Sequence, residues 1–138
     1  MSRNRLRLFN QHPKALGGVV GFIFLPAHLL VPMEQSVGLA ALLLCLIAGV
    51  YIGFAVLKGD SPRFLFELTG ALVFAFTAWF AMYYEPWVIP ALYALHAAWD
   101  GVHHLRTLNH LVPSWYIPFC AVVDLLAAAG ISIAWLAK

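Results

Sequence analysis

Five apolar runs fill almost the whole chain: Ala15–Met33, Ser36–Leu57, Phe64–Tyr83, Pro86–Leu105 and Tyr116–Ala137. Each is close to the roughly 20 residues that a helix rising 1.5 Å per residue needs to cross a bilayer core. The joints between them are short and rich in helix breakers: Met33–Gln35, Lys58–Arg63, Tyr83–Pro86 and the longer Arg106–Trp115. Charged residues make up 10% of the chain and the AVILMFWYC set 63%, against about 25% and 45–50% in soluble domains. That balance excludes a disordered chain, a nucleic-acid-binding module and a disulfide scaffold. Cys45 and Cys120 each lie within an apolar run and suggest no disulfide framework. The expected fold is all-α, a polytopic bundle of about five spanning helices forming one integral membrane domain over residues 1–138.

The first run follows Arg3, Arg5, Arg7 and Lys14, as a signal peptide would, but it is long and lacks a convincing cleavage site before Glu34. It is read as a retained helix, with a four-helix arrangement as the alternative. A cytoplasmic N-terminus places Arg3, Arg5, Arg7, Lys14, Lys58, Arg63 and Arg106 inside and only Lys138 outside, as the positive-inside rule prefers. The expected location is a bacterial inner membrane, with the basic N-terminal segment resting on anionic headgroups. Tyr83, Tyr84 and Trp87 on one side and Trp115 and Tyr116 on the other fit aromatic belts. Gly17/Gly21 and Gly49/Gly53 are GxxxG pairs; close packing within one chain is the ordinary reading and a homodimer face the sharper one.

Half of the six acidic residues fall inside the runs: Glu67, Asp100 and Asp124. A carboxylate at the centre of a bilayer costs about 2.5–3.5 kcal/mol on insertion scales, so each needs a reason to be there. The densest polar block is HAAWDGVHH, with His96, Asp100, His103 and His104. At 100° per residue the first three fall within about a 60° sector of one helix, with His104 near its edge. Counted from the inner ends of their runs, His103 lies about 3 Å deep, Asp100 about 8 Å, His96 about 14 Å, Glu67 roughly 5 Å and Asp124 roughly 12 Å. The spacing allows all six residues to form one metal-binding cluster, with Glu67 or Asp124 as a ligand or a general base.

Three buried carboxylates require cations. Two divalent ions bridged by Asp100 suit the separation of His96 from His103, while a single ion would need a shared proton. Imidazole and carboxylate ligands admit zinc, iron or manganese; no organic cofactor is expected. His28, between Pro26 and Pro32, is read as a structural residue, and His12 and His110 as aqueous loop residues. Tyr116, Cys120 and Asp124 follow one another at i+4 along one side of the last helix, and Cys120 is read as packing. Gly70 is suited to close approach by the histidine-bearing helix.

The segments FELTGA, LHAAWDGVHH and WYIPFCAVVD resemble a family of small bacterial polytopic membrane proteins of unknown function. The resemblance implies fold and location, and marks Glu67, His96, Asp100, His103, His104, Pro118 and Asp124 as characteristic positions. HAAWDGVHH also looks like the overlapping histidine boxes of membrane di-iron oxygenases with Asp100 in place of one histidine, although this chain has too few histidines for their full set. The donor types are similar to those of intramembrane zinc hydrolases such as the alkaline ceramidase group, which have more helices. Three functions are therefore expected to compete: a metalloenzyme acting on a lipid or other apolar substrate, a proton or metal-ion conductor, and a structural membrane subunit.

Overall fold

The computed structural model describes residues 10–105 and 112–138. Arg3, Arg5, Arg7, Arg106 and His110 lie outside them. The described residues form five helices: α1 (Pro13–Leu30), α2 (Met33–Lys58), α3 (Ser61–Tyr84), α4 (Val88–Leu105) and α5 (Tyr116–Leu136). Four of these, α1, α2, α3 and α5, are long and apolar enough to cross a membrane. The fourth expected span is a helix but falls short of that standard. Its 18 residues include three histidines and an aspartate, which lower its hydropathy although all but His104 are buried.

The joints fall where local chemistry stops a helix. α2 ends on Gly59, whose φ of 68° is open to glycine without strain. Asp60 then caps α3 by accepting from the backbone N–H of Arg63 at 3.0 Å, with Pro62 in the first turn. Pro32 separates α1 from α2.

Each helix buries one stripe. On α2 it runs through Val37, Ala40, Leu44, Ala48, Tyr51 and Ala55; on α3 through Glu67, Phe74, Ala78 and Ala81. The alanines let these two helices lie close along each other. A second layer is α1–α5–α4, with α5 in the middle. A Cβ on Gly17 would stand 2.5 Å from the Phe119 carbonyl oxygen, one on Gly21 would meet Leu126, and one on Gly130 would meet Leu25. These pairs advance together along both helices, so α1 and α5 run parallel. At their far end Lys138 Nζ donates to the Val31 carbonyl at 2.5 Å. Gly17 and Gly21 thus pack within the chain, whereas a Cβ on Gly49 or Gly53 would meet nothing within 4 Å.

Candidate metal centre

The buried stripe of α4 is Ile89, Leu92, Tyr93, His96, Asp100 and His103, a helical period that begins apolar and ends polar. α5 meets it with Tyr116, Cys120 and Asp124. α2 and α3, from the other layer, bring Tyr51 and Glu67. All these side chains are buried, and they form two adjoining groups.

In the first group, His96 Nδ1 lies 2.8 Å from Asp124 Oδ2 and 3.8 Å from Asp100 Oδ1. The Tyr51 hydroxyl donates to that same Asp100 oxygen at 2.5 Å. The Cys120 thiol points at Asp124 Oδ2 (3.8 Å) and the Tyr116 hydroxyl (3.6 Å). One donor atom each from His96, Asp100, Cys120 and Asp124 falls within 4.8 Å of all the others. In a tetrahedral site with bonds of 2.0–2.3 Å, ligand atoms stand roughly 3.3–3.8 Å apart, so small side-chain rotations would close the set on an ion.

Three polar atoms of this group, His96 Nε2, Asp100 Oδ2 and Asp124 Oδ1, are buried with no hydrogen-bond partner among the described residues. Each such atom costs about 1–3 kcal/mol if left alone, and more when it belongs to a charged group. A divalent cation would offset much of the charge gathered here: Asp100 and Asp124 contribute two negative charges and a coordinating Cys120, which binds as thiolate, a third, so one M²⁺ with neutral His96 leaves a net charge of about −1. Among the described residues one group of such donors could hold a metal ion, and no second group of three donors accompanies it for the expected two ions bridged by Asp100.

In the adjoining group, Glu67 Oε1 lies 2.8 Å from His103 Nε2, and His103 Nδ1 donates to the Trp99 carbonyl at 3.0 Å. Both ring nitrogens of His103 are engaged, so it offers nothing to the first group. The Glu67–His103 pair is neutral as a unit whichever partner holds the proton. The Tyr51 ring lies between the groups, 4.4 Å from the His103 ring and 6.1 Å from the His96 ring, centroid to centroid. Phe66 and Trp99 stack at 5.2 Å over the His103 side, and the Gly70 notch admits Trp99, whose Cζ2 would stand 3.0 Å from a Cβ there.

Of the six expected ligands, His96, Asp100 and Asp124 therefore come together, Glu67 and His103 pair beside them, and His104 is exposed at the end of α4. Cys120, read from the sequence as packing, joins the group, and Tyr51 was not singled out at all. His28 bonds elsewhere: its Nδ1 lies 2.9 Å from Ser36 Oγ, which also accepts from the Trp135 indole at 2.7 Å. That is a structural clasp of α1, α2 and α5. His12 is exposed just ahead of α1. No family model, curated protein or solved structure matches this chain.

Proposed function

We propose that this chain is an intramembrane metalloprotein that holds one divalent ion at His96, Asp100, Cys120 and Asp124 and acts as a metal-dependent enzyme on an apolar substrate. The observation that carries the reading is the coincidence, inside a bundle of membrane-type helices, of four donor atoms within 4.8 Å and three buried polar atoms without partners. A thiol beside an imidazole narrows the expected metals: sulfur favours zinc or iron, and manganese prefers an all-oxygen shell. When bound, such an ion polarises a substrate oxygen or activates water. The chain's own groups hold the centre: Tyr51 fixes Asp100, Asp124 orients His96, and the Glu67–His103 pair, sealed by Trp99 and Phe66, closes the α3 side. With four protein ligands zinc would be closed to substrate, whereas six-coordinate iron would keep two positions open.

Phe54 meets Tyr116 and Gly17 meets Phe119, so the end of α2 and the starts of α1 and α5 share one end of the bundle. That end carries Lys14, Lys58 and Arg63, and Lys138 lies at the other. On the positive-inside rule the basic end faces the cytoplasm of a bacterial inner membrane, with the centre in that half.

Metal analysis of protein purified without chelators tests the centre. About one zinc or iron per chain is expected, with loss in Asp100→Ala and Asp124→Asn. Metal at a hundred times its dissociation constant should stabilise the stripped protein by about 2.7 kcal/mol. Protein that carries no metal and is not stabilised by zinc or ferrous ion would overturn the reading. The run of polar groups from Glu67 and His103 past Tyr51 to Asp124 favours a second reading, a proton or metal-ion conductor. Ion flux into vesicles, abolished by Asp100→Ala, would select it.

A further inference from the structure

α1 and α2 follow one another in sequence but touch only lightly, because α1 lies along α5 and α2 along α3. Between them a cleft of about 290 Å³ remains open, with α5 as its floor. Phe24 and Leu46 stand at its rim, 44% and 60% exposed, both on membrane-type helices. The medium outside that rim is bilayer hydrocarbon. Inside, the walls are aliphatic and aromatic, and the floor presents Tyr116 and Cys120.

The few polar groups in the lining are each engaged in part within the chain. His28 is bonded to Ser36, the Tyr93 hydroxyl donates to the Ala40 carbonyl at 2.8 Å, and the Tyr116 hydroxyl faces the Cys120 thiol. The cleft therefore has little to offer a polar headgroup and much to offer a hydrocarbon chain. An apolar cavity of about 150 Å³ accommodates benzene, so this one suits a chain on the order of ten carbons. A wider groove of about 800 Å³ runs between α3 and α4, but it touches none of the four candidate ligands, and the Trp99 and Phe74 rings in its wall stand between it and His96 and His103. Of these two, the α1–α2 cleft has a candidate ligand, Cys120, in its lining.

We infer that the cleft admits one acyl chain of a bilayer phospholipid sideways from the membrane and lays it against Cys120, which makes acyl lipids the substrate class of the centre. This substrate assignment rests on the metal reading, whereas occupancy of the cleft can be read without it. The protein, reconstituted in phosphatidylcholine vesicles doped with a phosphatidylcholine bearing a diazirine on one acyl chain, is irradiated and its adducts are mapped by peptide mass spectrometry. Adducts are expected to concentrate on the cleft-facing segments of α1, α2 and α5, above the level at Leu72 and Phe76 on α3. Val50→Trp fills the cleft and Leu46→Trp narrows its rim; because Leu46 is exposed, that second variant should fold normally. Excluding about two methylenes from the cleft should lower cleft adducts about tenfold, with the α3 adducts and the metal content unchanged.

Cleft labelling no higher than at α3, as when a second copy covers the rim, or labelling unchanged in both tryptophan variants, would overturn the inference. Metal content measured on the same samples keeps the two readings apart. Cleft adducts in a protein without metal overturn the centre and the substrate assignment and leave the lipid cleft standing, and metal without cleft adducts does the reverse.

Discussion

Replacing Tyr51 with phenylalanine removes one oxygen at the point on which the centre depends. Tyr51 is 2% exposed, and its ring packs against His103 at 4.4 Å and Tyr116 at 5.8 Å, contacts that phenylalanine retains. What disappears is the hydrogen bond to Asp100 Oδ1, and the carboxylate keeps His96 Nδ1 at 3.8 Å and the weaker Cys120 thiol. A bond to a charged acceptor contributes about 1.5–3 kcal/mol. Loss of a group that orients a metal ligand costs about 10–100-fold in affinity, which is about 1.4–2.7 kcal/mol. The two estimates agree, so metal affinity should fall 10–100-fold by chelator competition, and the metal-free protein should lose about 1.5–3 kcal/mol in reversible unfolding followed by tryptophan fluorescence. Tyr93→Phe is the matched control, since its hydroxyl donates to a neutral carbonyl; bonds of that kind between membrane helices average about 0.6 kcal/mol. A Tyr51→Phe protein whose metal affinity stays within about twofold of wild type, or shifts no more than in Tyr93→Phe, would refute the assignment of Asp100 as an ion-facing group.

Five further substitutions separate packing from chemistry. Gly17→Ala sets a Cβ 2.5 Å from the Phe119 backbone oxygen, which cannot rotate away, and should cost about 1–3 kcal/mol in unfolding; Gly49→Ala meets nothing and should be neutral or up to about 1 kcal/mol stabilising. Glu67→Ala strands His103 Nε2 and should cost about 3–5 kcal/mol, while Glu67→Gln, which can still bond to it, should leave metal content unchanged by elemental analysis. Cys120→Ser keeps the size but exchanges a soft donor for a hard one, so competition binding should show zinc losing ground to manganese.

The helices themselves were legible because their signal is additive: some 20 apolar residues between breakers leave little choice. α4 was the weakest of the five as a span for the same reason that it holds the site, since His96, Asp100, His103 and His104 lower its hydropathy. Tyr51 was missed because a single tyrosine in an apolar run is an ordinary core residue. Cys120 was placed on the correct side of α5 by its i+4 spacing from Tyr116 and Asp124, and then set aside because most buried cysteines only pack. The parallel pairing of α1 with α5 was not readable, since it joins the first and last helices across the whole chain.

Depth alone carried more than the sequence reading drew from it. Glu67 at roughly 5 Å and His103 at about 3 Å are one level, Asp124 at roughly 12 Å and His96 at about 14 Å another, and Tyr51, six residues from the end of its run, lies at about 9 Å beside Asp100 at about 8 Å. These are the three hydrogen-bonded pairs of the structure. Side chains reach only a few ångströms along a helix axis, so in a bundle of near-vertical helices polar groups find partners at their own level. The single six-residue cluster expected from the stripe on α4 ignored that constraint. Its 60° sector looked narrow enough for one ion, but the three side chains are spread over about 10 Å of axis, and Asp100 and His103 lie on opposite sides of His96 in azimuth. The lower level pairs Glu67 with His103 and leaves Glu67 Oε2 without a partner among the described residues. The upper two levels, joined by Cys120 one turn before Asp124, are left with two carboxylates and three buried polar atoms without partners. The group that remains could hold a metal ion.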